Sequence, residues 1–137
     1  MVNKKVILLA AFSILMVFSI NFIYALDLLV SSEPVVTSII NDGDKPGVVD
    51  LTITNNENTD VFELYTFERF NVNPKEFSLN YGETKKIRFE FLPIESMKKN
   101  VGYIKLPYYI RKKSTDNNLK GDFVLKLISF NNAFDVN

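Results

Sequence analysis

The 137-residue chain contains no cysteine, no histidine and no tryptophan, and only five glycines and five prolines. Without cysteine there is no disulfide, no thiolate metal site and no lipoprotein anchor. Without histidine, the commonest metal ligand and the usual general base at neutral pH are missing. An excess of one charge is lacking too, since 16 basic residues stand against 16 acidic ones. Nucleic-acid binders normally show a clustered basic excess, so no nucleic-acid partner is expected, and no cofactor either. No Asn-x-Ser/Thr sequon occurs, which excludes N-linked glycosylation. What is abundant is aromatic bulk: twelve Phe and six Tyr can fill a small core without covalent staples.

Long hydrophobic runs are confined to the start. Lys4 and Lys5 precede an almost unbroken apolar stretch over residues 6–20, and Ala25 offers a small residue at a cleavage position. Charged, apolar and small in that order is the pattern of a secretory signal. Ile23, three residues before the cut, is large for that position, and the run reaches about 20 residues if Asn21 is tolerated, enough for an uncleaved membrane anchor. A buried core helix is the remaining alternative. Lys4 and Lys5 hold the N-terminus inside, so the rest is expected outside, at the cell surface or anchored to the membrane. The chain divides into a signal peptide or signal anchor (1–25), a domain (26–130) and a frayed tail (131–137).

The domain is organised around residues 70–93, FNVNPKEFSLNYGETKKIRFEFLP. Phe70 and Val72, then Phe77 and Leu79, then Ile87, Phe89 and Phe91 each alternate with polar residues, which predicts two or three short strands with one apolar face apiece. Asn-Pro, Tyr-Gly-Glu and Leu-Pro stand where strands should stop. Elsewhere Val49, Leu51 and Ile53 alternate, as do Ile104, Leu106, Tyr108 and Ile110, and Phe123, Leu125 and Leu127. Pro34 suits an edge strand that switches sheets, and Pro107 a bulge or an unpaired side. Over residues 61–68 the register is open, with Phe62 and Leu64 competing against Tyr65 and Phe67 for the core. Residues 94–100 form a polar connector with room for one helical turn. Short strands with turn signals every eight to twelve residues predict an all-β, antiparallel sandwich of about seven strands, preceded by the hydrophobic N-terminal helix.

Thr54-Asn55-Asn56, Val72-Asn73-Pro74, Gly82-Glu83 and Phe91-Leu92-Pro93 mark an order of strands that resembles the immunoglobulin-like S-layer and NPCBM-associated adhesion-type domains of archaeal and bacterial surface proteins. The PapD-like and major sperm protein sandwiches are more distant relatives in this pattern. The resemblance covers roughly residues 28–129. It implies an immunoglobulin-like fold and a surface setting, and it transfers no catalytic residue.

Four groups of residues invite a chemical reading. Ser96 and Lys99 have the S-x-x-K spacing of serine acyltransferases, but the Ser-Asp-Asn and Lys-Thr-Gly companions are missing, so a solvated connector is expected. Asn41, Asp42 and Asp44 offer oxygens to a cation without EF-hand spacing, so a plain turn is expected. Lys85, Lys86 and Arg88 form a small basic face suited to an anionic partner or to guarding a sheet edge, and Arg88→Ala is expected to be neutral. Tyr65, Phe67, Tyr103 and Tyr109 include rings that could stack on sugars or anchor a protein; packing in the core or over its rim is the plainer reading. The leading expectation is a non-enzymatic cell-surface binding or adhesion module whose partner is a surface protein or glycan. The alternatives are a membrane-tethered spacer or envelope subunit without a specific ligand, and a carboxylate-only hydrolase.

Overall fold

A computed structural model describes residues 26–130; the expected N-terminal signal or anchor helix and the tail beyond residue 130 lie outside them. The described residues form nine strands: β1 (Leu28–Val36), β2 (Ser38–Ile40), β3 (Gly47–Asn55), β4 (Asp60–Tyr65), β5 (Phe70–Asn73), β6 (Glu76–Leu79), β7 (Thr84–Pro93), β8 (Gly102–Lys112) and β9 (Asn118–Ile128), with one 3-10 turn at Glu95–Met97. They build two sheets, ordered β1-β3-β7-β5 and β2-β9-β8-β4-β6. The fold is an all-β sandwich of two sheets, as the alternation predicts. The count exceeds the expected seven for two reasons. The organising stretch splits into three strands, β5, β6 and β7, and the chain after Pro34 contributes a strand to each sheet in turn. The register of β1 on β3 shifts between Pro34 and Val36, and β2 then pairs with β9 in the opposite sheet. That pairing is parallel, whereas every other ladder among the described residues is antiparallel.

The core lies where the two inner faces meet. Phe62, Leu64, Phe89, Phe91, Leu106 and Ile110 are almost completely buried. Phe77 packs against Phe62 and Phe89 with ring centroids 5.7 and 5.6 Å apart, and Phe91 meets Phe123 at 5.0 Å. The open register of residues 61–68 resolves with Phe62 and Leu64 inward, because β4 pairs Phe62 with Phe77 on one side and Leu64 with Ile110 on the other. Ile87 is half-buried beside the fully buried Phe89 and Phe91. At Pro107 the pairing with β9 continues unbroken, and the ladder with β4 ends two residues away at Tyr65–Tyr109, so the missing N–H costs no bond there.

Four polar residues are buried among the described residues: Asn41, Asp50, Asn55 and Lys112. Asn55 is fully buried at the end of β3. Its Nδ2 donates to the carbonyls of Asn58, Leu79 and Asn80 at 3.1, 3.3 and 3.2 Å, and its Oδ1 accepts from Glu57 N at 3.0 Å. Buried polar groups are tolerated only when satisfied, and Asn55 meets that condition by tying two loops together. Beside it, Glu57 accepts from Lys112 Nζ at 2.6 Å and from Asp27 N at 3.0 Å. The chain therefore enters the sandwich at the end formed by the loops after β3, β6 and β8.

Candidate recognition surface

Side chains alternate along β8, so Tyr103, Lys105, Pro107, Tyr109 and Arg111 share the outer face of the second sheet while Leu106, Tyr108 and Ile110 enter the core. On that face Tyr65 of β4 lies opposite Tyr109, and the two rings stack with centroids 5.4 Å apart and planes 18° apart. Phe67 follows in the crossover from β4 to β5. Its ring meets Tyr65 and Tyr109 edge-on, at 5.3 and 5.1 Å, yet 77% of the residue is exposed. The crossover is held by Thr66, whose Oγ1 donates to Pro107 O at 2.7 Å and accepts from Glu68 N at 3.1 Å. Three rings thus form a platform whose third member is presented to solvent by the other two.

Cations border the platform. The Arg111 guanidinium lies 5.6 Å from the centre of the Tyr65 ring, and its Nη2 donates to Glu63 Oε2 at 2.5 Å. Lys120 Nζ lies 5.8 Å from the centre of Tyr109. Such pairs hold the charged group over the ring quadrupole and keep the arrangement ordered. The hydrogen bond from Arg111 to Glu63 raises its already high pKa, so the guanidinium stays charged.

The other sequence-selected residues fall elsewhere. Tyr103 is on the same face but six residues from Tyr109 along β8, with Lys126 Nζ 5.5 Å from its ring centre; a groove of about 560 Å³ opens there, bounded by Pro34, Ser38 and Val124 among others. Lys86 and Arg88 are on the outer face of the first sheet, across the sandwich, and Lys85 by alternation is turned to the other side of β7. The basic face therefore dissolves into ion pairs. Lys86 reaches Glu33 at 2.7 Å and Asp50 at 3.4 Å, and Arg88 forks onto Asp50 at 2.8 and 3.0 Å. Asp50 is nearly buried, with 7% of its side chain exposed. Arg88 is its bidentate partner, so Arg88→Ala is no longer expected to be neutral. Hydrogen bonds from Arg88 hold the Asp50 carboxyl below its ordinary value against the opposing effect of burial.

Ser96 belongs to the 3-10 turn and Lys99 to the connector after it, where buried Met97 anchors the turn. Asn41 is buried and donates through Nδ2 to Asn100 O at 2.7 Å, which makes it a loop tie. Sequence reasoning missed Glu63, Arg111, Lys120 and Lys126. Arg111 was legible from the alternation of β8, but Lys120 and Lys126 required the β8–β9 register, which pairs them with Tyr109 and Tyr103.

No protein-family model matches the chain, and no curated protein matches it in sequence. Among solved structures, a FixG-related protein from Vibrio parahaemolyticus is 8% identical with a TM-score of 0.58, covering 73% of this chain and 95% of that one. The human CEP192 PapD-like domain 7 is 16% identical with a TM-score of 0.44, covering 77% and 87%. WR4, a C. elegans MSP family member, is 13% identical with a TM-score of 0.39, covering 77% and 99%. The neighbours thus include a PapD-like domain and a major sperm protein family member. At 8% identity, the likeness to the Vibrio protein is one of fold alone: the chain is an immunoglobulin-like β-sandwich.

Proposed function

We propose that the chain is a non-enzymatic immunoglobulin-like module, exported and either released or tethered by residues 1–25, which binds a surface component through the Tyr65–Phe67–Tyr109 platform. The observation that carries this reading is Phe67. A phenyl ring left in water forgoes roughly 1.5–3 kcal/mol of burial. Here it is also held edge-on by two tyrosines, as an anchor ready for a partner. The platform lies on the outer face of the second sheet, with Tyr109 three residues along β8 from Lys112, which marks the end where the chain enters. Two lysines before an apolar run support export with the domain outside.

The test pairs location with binding. Protease added to intact cells should degrade the domain; a protected domain with Met1 intact overturns export. Phe67→Ala and Tyr109→Ala should weaken capture of envelope components about tenfold or more, as anchor residues do, without lowering the melting temperature. Undiminished capture by Phe67→Ala would favour the spacer reading. Turnover of a glycan or peptide, lost on changing one carboxylate, would favour the hydrolase.

A further inference from the structure

We propose that the outer face of β8 and β9 binds a linear acidic polysaccharide, which lies along the strands and meets a ring and an ammonium group at each of two stations. The inference rests on reading the Tyr65–Phe67–Tyr109 platform as a recognition site, and it adds the ligand class and a second contact region.

The stations come from the register. Tyr103 is the direct cross-strand partner of Lys126, and Tyr109 of Lys120. In each pair the ammonium sits beside the ring, at 5.5 and 5.8 Å from its centre. Both stations lie on one face, six residues apart on both strands, which is a separation of about 20 Å at the usual strand rise. Tyr103 is 76% exposed, as open as Phe67, which lies against Tyr109 at the other station. Between them Val124 is exposed and Lys105 is closed against Asp122 at 3.2 Å.

Charge chooses among ligands that stack on rings. The cations closest to carboxylates are neutralised: Lys105 by Asp122, Arg111 by Glu63, Lys112 by Glu57 and Lys113 by Glu76. Lys120 and Lys126 have no carboxylate within 4 Å among the described residues, and each ammonium lies against a tyrosine ring instead. Two unpaired ammonium groups, each next to a ring, fit a repeating chain that offers a flat apolar sugar face and a carboxylate at intervals. A single-stranded nucleic acid has the same two elements, and oligothymidylate is therefore set against the polysaccharide in the test.

The test uses the full chain in mild detergent, titrated against immobilised polygalacturonate and its methyl-esterified, uncharged form. Oligothymidylate and nanodiscs containing phosphatidylserine serve as competing anions. Polygalacturonate should bind, weaken with added salt, and exceed the esterified polymer by about tenfold or more. The double variant Lys120→Gln/Lys126→Gln should remove most of that preference, and Tyr103→Ala should weaken binding, both with an unchanged melting temperature. Equal binding of the two polymers, with the lysine variant silent, overturns the acidic ligand and leaves the platform reading standing. A silent Phe67→Ala beside an effective lysine variant overturns the platform and keeps the acidic ligand. A silent Tyr103→Ala overturns the second station. Preference for oligothymidylate or nanodiscs, or no binding to either polymer, overturns the proposal.

Discussion

At the scale of single residues, burial and hydrogen bonding separate side chains that look alike in the sequence. Phe89 and Arg88 are neighbours on β7, one sealed in the core and the other on the outer face. Phe89→Ala should cost about 3–5 kcal/mol, the usual penalty for emptying an aromatic core site. Arg88→Ala should destabilise less than Phe89→Ala and measurably more than Lys85→Ala, because it removes both hydrogen bonds from the Asp50 carboxylate. Denaturant melts of the three variants give the ranking, and equal losses at 88 and 89 would refute the register. Asn55 is the sharper case. Its paired-Asn motif is visible in the sequence, but only the fold shows three carbonyls and one N–H converging on its amide. Asn55→Ala leaves several of those groups unsatisfied and should cost roughly 2 kcal/mol or more, read by the same melts. Gly121 owes its identity to Tyr108, its partner across the ladder, since a Cβ there would lie 2.3 Å from the phenol oxygen.

At the scale of elements, turns and edges decide what the chain tolerates. The β8–β9 hairpin turns through residues 113–117, where Asp116 takes a positive φ of 57°. Deleting residues 114–118 removes the turn, the bond from Ser114 to Asp60 and Asn118 at the start of β9. Leu119 would still face Ile110, so the variant should fold with native near-ultraviolet circular dichroism and a lowered melting temperature. Loss of the cooperative transition would show that the tip nucleates the hairpin. The alternation of β8 was readable residue by residue, and it correctly separated the core row from the outer row. The crossing of the chain from β1 to β2 was readable only as a proline signal. Its consequence, a parallel pairing with β9, depends on a strand 88 residues later arriving alongside, since Ser38 meets Lys126.

At the scale of the whole molecule, acid should open the sandwich from several points at once. Asp50, Glu57 and Asp60 are all held below their ordinary values of 3.8, 4.5 and 3.8, chiefly by hydrogen bonds from Arg88, Lys112 and Ser114 respectively. A carboxyl with a depressed folded-state pKa stabilises the fold fully above its unfolded value, and that contribution disappears as pH falls through the folded one. Stability should therefore be level with respect to these three groups above about pH 5 and decline below about pH 4. Arg88→Ala should reduce the steepness of that decline, and an unchanged acid limb in urea melts would remove Asp50 from the account. By itself the sequence determined the class of fold, the faces of most strands and the absence of histidine and cysteine chemistry, because each is a matter of local alternation or composition. Tertiary structure alone decided which aromatic residues meet. Tyr65, Phe67 and Tyr109 lie up to 44 positions apart and assemble because β4 pairs with β8, while Lys86 and Arg88 were turned away to the opposite sheet. Period-two patterning says which face a side chain takes but carries nothing about the strand beside it; that neighbour is chosen by how two sheets close over one core.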